Sequence, residues 1–411
     1  MPLTACVQQL ALCSNLNPDD VCGVANIHGA LAQVAALCKP ESDVLQSIYR
    51  FLGVNQFEQV LALKDKDRKL FCLLDLEARS IMESTGNAQK FYEKMELLEA
   101  GIEDLTGDTT IEKRLNDKLR DTLELYDAEG QPLDLFRDKQ VHDPTKSKLL
   151  LCLVAAECIK VTWKKPFQEL GAEEFTTLDG TVVQASFCGD YEFGNNGRYL
   201  PFFKSERFEA VSVACTPEED VQRHMILVLP KNYEISVHDA LHEFYQIYKK
   251  QAEGAKLPQD AWESDYINLK YPKMNVSMGM EGGKDIIPWI KPSIPLIFKD
   301  KEFNPDGSEV HGPFDWLFPH NVMMQKGLKP AYVGKILHCA SFNVDHLGAV
   351  GKASTAVVVE AEYRSIKPPP YKFHCNRPFG VFLMKGDIKK NFNVEFAAVI
   401  ANEGAVRAEE D

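Results

Sequence analysis

The sequence contains no Cys-x-x-Cys pair, which disfavours the paired-thiolate sites of structural zinc. It also lacks a Gly-x-Ser-x-Gly elbow, a Walker phosphate loop and a dinucleotide-type glycine fingerprint, so the commonest hydrolase, NTPase and dehydrogenase machineries have no anchor here. Positive charge is in short supply. With 46 Lys and Arg against 60 Asp and Glu, the net charge is -14, and a field of that sign repels phosphate backbones and anionic membranes, so neither nucleic acid nor membrane is expected as a partner. No stretch reaches the ~18 consecutive apolar residues of a membrane-spanning helix. Internal repeats and long Pro/Gly/Ser linkers are missing too, which favours one mixed domain over residues 1–411.

What is present is ordinary globular composition, 45% hydrophobic and 26% charged, with 25 Gly and 22 Pro. Such a chain can bury a sizeable core. The N-terminal Met1–Leu10 segment has neither the positive start nor the unbroken apolar run of a secretory signal. Eleven cysteines, an odd number spread from Cys6 to Cys375, fit a reducing compartment. A cytoplasmic location is expected, with unconventional secretion left open, and the single Asn275-Val276-Ser277 sequon does not outweigh it.

The first third reads as helical. Apolar residues recur at intervals of three and four in Ile27–Leu37, Val44–Leu52, Leu70–Ile81, Phe91–Leu105 and Ile111–Leu125. After residue 150 short β-prone runs take over, at Val182–Phe187, Met225–Leu229, Ile267–Tyr271 and Ile336–Val344, with one helical pattern at Val237–Lys250. That helix carries the best metal candidate, His238, His242 and Glu243, but two imidazoles one turn apart do not define a site without a further ligand, so no metal and no cofactor is expected.

From Gly348 onward the alternation is informative. One face of an extended 349–359 segment carries Ala349, Gly351, Ala353, Thr355, Val357 and Val359, all small or β-branched, while Lys352 and Glu360 fall on the other. A surface loop has no reason to keep one face small and uncharged; a segment that must become a buried central strand does. Following it, Lys367-Pro368-Pro369-Pro370-Tyr371 favours an extended return to the body.

These residues resemble the serpin family of protease inhibitors. The resemblance rests on His338-Cys339-Ala340, on Gly348 followed by small residues to Thr355, and on Asn376-Arg377-Pro378-Phe379 before an apolar strand. Upstream, Trp163-Lys164-Lys165-Pro166-Phe167, Met225–Pro230 and Tyr271-Pro272-Lys273 resemble further family blocks in the family's order. The resemblance implies a mixed α+β serpin-like single domain with a helical N-terminal part, large β-sheets and an exposed reactive-centre loop at about 346–370. It implies no enzyme but a suicide substrate. A serine or cysteine protease forms a covalent complex on the loop, which then inserts as a strand into the central sheet.

By the same resemblance, Gly348, Ala349, Gly351, Ala353 and Thr355 form the loop hinge, and Trp163, His338 and His346 belong to the sheet-opening region. The family's usual loop length puts the reactive bond at Glu362-Tyr363; a loop one or two residues longer puts it at Tyr363-Arg364 or at Arg364-Ser365. The expected partner is the target protease, and the expected state is a monomer able to form loop–sheet polymers. Three departures bear on sheet opening: Ala155 stands where the family has Asn, Gly29 and Ala30 follow Asn26-Ile27 where it has Ser, and His346 stands where it has an acid. They keep open a non-inhibitory serpin acting as chaperone, carrier or storage protein.

Overall fold

The computed structural model describes residues 3–13, 16–61, 68–105, 110–123, 131–145, 147–190, 196–218, 221–279, 282–298, 312–349 and 369–406. These fall into two compact units whose sequences interleave. One draws on Met1–Gln8, Ala25–Cys158 and Gly279–Cys339, the other on Gln9–Val24, Ile159–Met278 and Ala340–Asp411.

In the first unit, helices Val24–Leu37, Asp43–Leu52 and Ile111–Leu123 lie where periodicity puts them. Ser42 starts Asp43–Leu52 by accepting from the Leu45 amide at 3.2 Å, and Gly53 ends it at φ 67°. A β-carbon on Gly53 would also lie 2.6 Å from the Ala5 backbone, so only glycine fits this stop.

Two expected helices are instead strand and helix in succession. Leu70–Ile81 is the strand Arg68–Asp75 followed by the helix Leu76–Ser84, and Phe91–Leu105 is the helix Ala88–Leu97 followed by the strand Gly101–Leu105. The reason is tertiary. Leu70–Leu74 is a continuous apolar run flanked by neighbours on both sides, parallel to Gly101–Leu105 and antiparallel to Leu151–Glu157, and such a run carries no period of its own. Asp75 then punctuates the chain: its Oδ1 accepts from the amides of Glu77 and Ala78 at 3.0 and 3.2 Å, which starts the next helix. Leu115 and Leu119 of Ile111–Leu123 bury themselves with Phe71, Leu73 and Phe136 in one core cluster.

The second unit is built on a ten-stranded sheet. Its order runs Val21–Gly23, Asn391–Ile400, Phe379–Asp387, Arg223–Pro230, Phe208–Ala214, Arg198–Lys204, Glu263–Pro272, Val182–Gly189 and Gln168–Thr176, with Tyr371–His374 also pairing Glu263–Pro272. Helix Val237–Ala252 buries Leu241, Phe244 and Tyr248; Phe244 stacks on Phe382 of the sheet at 5.5 Å, and the Tyr248 hydroxyl donates to the Ile388 carbonyl at 2.7 Å. A smaller, four-stranded sheet in the same unit orders Met274–Met278, Ala340–Val344, Gly348–Ala349 and Val161–Thr162.

The expected strand Ile336–Val344 is divided at Cys339. Leu337–His338 pairs Lys284–Asp285, whereas Ala340–Val344 pairs Met274–Met278. The partner chain is itself interrupted by Gly279, Gly282 and Gly283, all at positive φ. The fold is thus a mixed α+β one, although its N-terminal third is less purely helical than periodicity suggests.

Inside the larger sheet, Arg223 Nε donates to both carboxylate oxygens of Glu395 at 3.1 and 2.9 Å, with side-chain exposures of 3% and 0%. Removing one partner of a buried pair strands the other charge. Glu395→Gln is therefore expected to lower unfolding free energy by about 3 kcal/mol, measured by urea titration; a loss within error of zero contradicts the assignment.

Candidate functional site

The candidate site is where the reactive-centre loop was expected to begin, and there Gly348–Ala349 lies as a short strand between two others. Ala349 pairs Val344 on one side, and on the other Gly348 and Ala349 pair Thr162 and Val161. A β-carbon on Gly348 would fall 2.0 Å from the Val161 carbonyl oxygen and 2.8 Å from Thr162 Cα. No side chain fits there, so glycine at this point answers a close backbone approach rather than a need for flexibility.

The turn before it is made by Asp345. Its Oδ1 accepts from the amides of Leu347 and Gly348 at 2.8 and 3.1 Å, while its own amide donates to the Gly348 carbonyl at 2.9 Å. This is an Asx-type turn. The Asp345 carbonyl in turn accepts from the Trp163 indole and the Tyr271 hydroxyl, each at 3.0 Å. Both donors are buried, and the Phe167 ring bridges them at 6.4 and 5.3 Å. Backbone bonds complete the clasp: the amides of Trp163 and Phe167 donate to the carbonyls of Leu347 and His346, both at 2.9 Å. Arg198 lies 3.8 Å over the Phe167 ring while its guanidinium donates to Asp190 at 2.7 and 2.9 Å.

Of the residues expected to govern sheet opening, Trp163 and His346 meet here. His346 stands where an acid was expected, and two acids lie close to it. Asp345 shapes the turn, and Glu169 supplies the ionic contact, its Oε1 being 2.5 Å from Lys273 Nζ and 3.2 Å from His346 Nδ1. The Lys273 ammonium holds the Glu169 carboxyl below its usual range.

His338 lies in the other unit, on Leu337–His338. There Gln33 Nε2 donates to the Val154 carbonyl at 2.8 Å, next to Ala155, so the strand carrying that departure keeps a polar contact from a helix. A β-carbon on Gly29 would press on Arg68 Cδ at 2.8 Å, which explains glycine where serine was expected. His238 and His242 occupy the helix Val237–Ala252, where His242 Nε2 meets Gln246 at 3.2 Å. Gly351, Ala353 and Thr355, with the Glu362-Tyr363, Tyr363-Arg364 and Arg364-Ser365 bonds, lie outside the described residues.

Sequence reading passed over Asp345, Glu169 and the roles of Tyr271 and Phe167. Tyr271 and Phe167 sit inside quoted motifs, so they could have been suspected; Glu169 and Asp345 carry no motif, and only the folded turn brings them into play.

Burial pushes the His338 imidazole from its ordinary 6.5 down to about 4, and that of the fully enclosed His28 to about 3. The unfolded chain takes up these protons near pH 6.5 and the folded chain only at lower pH, so the stabilisation is complete above 6.5 and is lost as the pH falls. His338 alone can account for up to about 3 kcal/mol between pH 6.5 and 4. The urea midpoint is expected to fall over that interval, and His338→Gln should reduce the slope without abolishing it, because His28 remains; an unchanged slope in the variant would rule His338 out.

A sequence profile of the family described as serpin (serine protease inhibitor) matches residues 136–391. Among curated proteins, "Putative serpin-Z12" of Oryza sativa subsp. japonica is 27% identical over 252 residues, which is 60% of this chain and 53% of that one, so the chain spans about half the relative's length. Among solved structures, Arabidopsis AtSerpin1 in its native stressed conformation is similar with a TM-score of 0.63 at 15% identity, covering 97% of this chain and 98% of the other. The thermophilic serpin Tengpin in its native state gives 0.64 at 14% identity, covering 97% and 93%. At those identities the likeness is one of fold.

Proposed function

Because the chain belongs to the serpin family, we propose that it is a suicide-substrate inhibitor of a serine or cysteine protease. The protease nucleophile attacks the scissile carbonyl of the loop and forms an acyl-enzyme, while the amine of the downstream residue leaves with its peptide. The freed loop then enters the sheet as a strand, and the distorted protease fails to deacylate. A native state held short of its most stable arrangement supplies the energy. The chain's own residues serve as bait and moving strand, not as acid, base or nucleophile.

One observation carries this reading: Gly348–Ala349 is already hydrogen-bonded between Ala340–Val344 and Val161–Thr162. The register of the entering strand is therefore set at its first two residues. Continuing that alternation puts Gly351, Ala353 and Thr355 on the face of Ala349, which is 2% exposed. The setting proposed is a reducing, cytoplasmic one, in keeping with free thiols such as those of Cys72 and Cys188. The non-inhibitory alternative draws on Ala155 and His346.

The test is incubation with trypsin-like, chymotrypsin-like, Glu-directed and cysteine proteases, followed by denaturing electrophoresis. A stable adduct is expected with at least one class, and only cleavage with every class favours the alternative. The strand register has its own check. Ala353→Arg should abolish the adduct by burying an unpaired charge, whereas Lys352→Arg on the opposite face should leave it nearly intact; equal effects would defeat the register. The released C-terminal peptide identifies the bond, and Arg364→Ala against Glu362→Ala distinguishes a basic-preferring protease from an acid-preferring one.

A further inference from the structure

Charge is distributed unevenly over this chain. Against a net charge of -14, one cavity of about 500 Å³ in the second unit is lined by Lys231, Lys372 and Arg377, with Glu209 the one carboxylate among the described residues that line it. We propose that this cavity binds a small organic phosphate, the phosphoryl oxygens meeting Arg377 and Lys231 and the organic part lying against the Tyr371 ring. The proposal stands apart from protease inhibition and does not depend on it.

Arg377 is held by neutral groups. Arg377 Nε and Nη2 donate to the Pro230 carbonyl at 3.2 and 2.6 Å, and Nη1 donates to Asn376 Oδ1 at 3.3 Å. These acceptors are neutral, so they fix the guanidinium in place without cancelling its charge. A positioned, uncancelled guanidinium is the group best suited to phosphate oxygens. Lys231 is exposed at the end of the strand Arg223–Pro230 and brings a second ammonium to the same cavity.

The opposing carboxylate is already engaged. Glu209 Oε1 accepts from the Tyr371 hydroxyl at 2.6 Å, and burial together with that carboxylate pushes the phenol well above its ordinary pKa, so the hydroxyl remains a donor. Lys204 Nζ sits 4.3 Å from the centre of the Tyr371 ring and adds to the positive potential around the cavity. The Tyr371 ring, 37% exposed, supplies the apolar contact. The cavity's size suits a ligand larger than a bare ion, since small-molecule sites commonly fall between roughly 300 and 1,000 Å³.

Phenyl phosphate is the probe, titrated into the intact chain by calorimetry and by ligand-observed NMR, with benzyl alcohol as the uncharged control. Saturable binding is expected with Kd on the order of 1 mM or tighter. Lys231→Glu should weaken it about tenfold or more by reversing one contact charge. Glu209→Gln keeps the acceptor for Tyr371 and removes that carboxylate's negative charge, so binding should tighten about threefold, a gain that structural damage would not produce. Thermal midpoints of both variants should match the parent. Absence of saturation to about 10 mM, equal binding of benzyl alcohol, or indifference to Lys231→Glu would overturn the site.

Discussion

The oxygen of Val161 occupies the place where residue 348 would carry a β-carbon, with 2.0 Å between them. That single steric fact governs the hinge. It admits only glycine, and glycine lets Gly348–Ala349 approach Val161–Thr162 closely enough to complete backbone pairing on both sides. The surrounding contacts hold the turn that feeds this strand. Asp345 closes it through its side chain, Trp163 and Tyr271 bind its carbonyl, and Phe167 packs between those two rings. The clasp thus joins the strand that ends at Val344, the strand Gly348–Ala349 and the Trp163–Phe167 segment.

His346 stands where an acid was expected, and a carboxylate lies beside it all the same. Glu169, at a register irregularity in Gln168–Thr176, stands between Lys273 and His346. Gly29 is a similar case, because the space a serine would fill is held by the Arg68 side chain. Both departures read in sequence as losses of polar control. In the fold, Glu169 lies beside His346 and the Arg68 side chain lies against Gly29, both residues distant in the chain from the departure they accompany.

The same logic separates what sequence reading reached from what it missed. Gly348 and Trp163 stood out in the sequence because short, ordered motifs surround them. The Asp345 turn was not, because an Asx turn needs one side chain and no pattern. Leu70–Leu74 was assigned to a helix because an unbroken apolar run has no period, and only its neighbours Gly101–Leu105 and Leu151–Glu157 make it a strand. The cationic cavity was out of reach for another reason: Glu209, Lys231 and Arg377 come from three separated stretches, and an overall charge of -14 gives no hint of a local excess of the opposite sign.

The proposed inhibition requires Gly348–Ala349 to be the first part of a longer strand that enters the sheet after cleavage. Nicking the loop between Val359 and Ser365 and recording the thermal transition tests it most directly. If the freed segment inserts, a new strand satisfies its backbone groups on both sides and the transition should rise markedly. A transition unchanged after clean nicking would contradict the account.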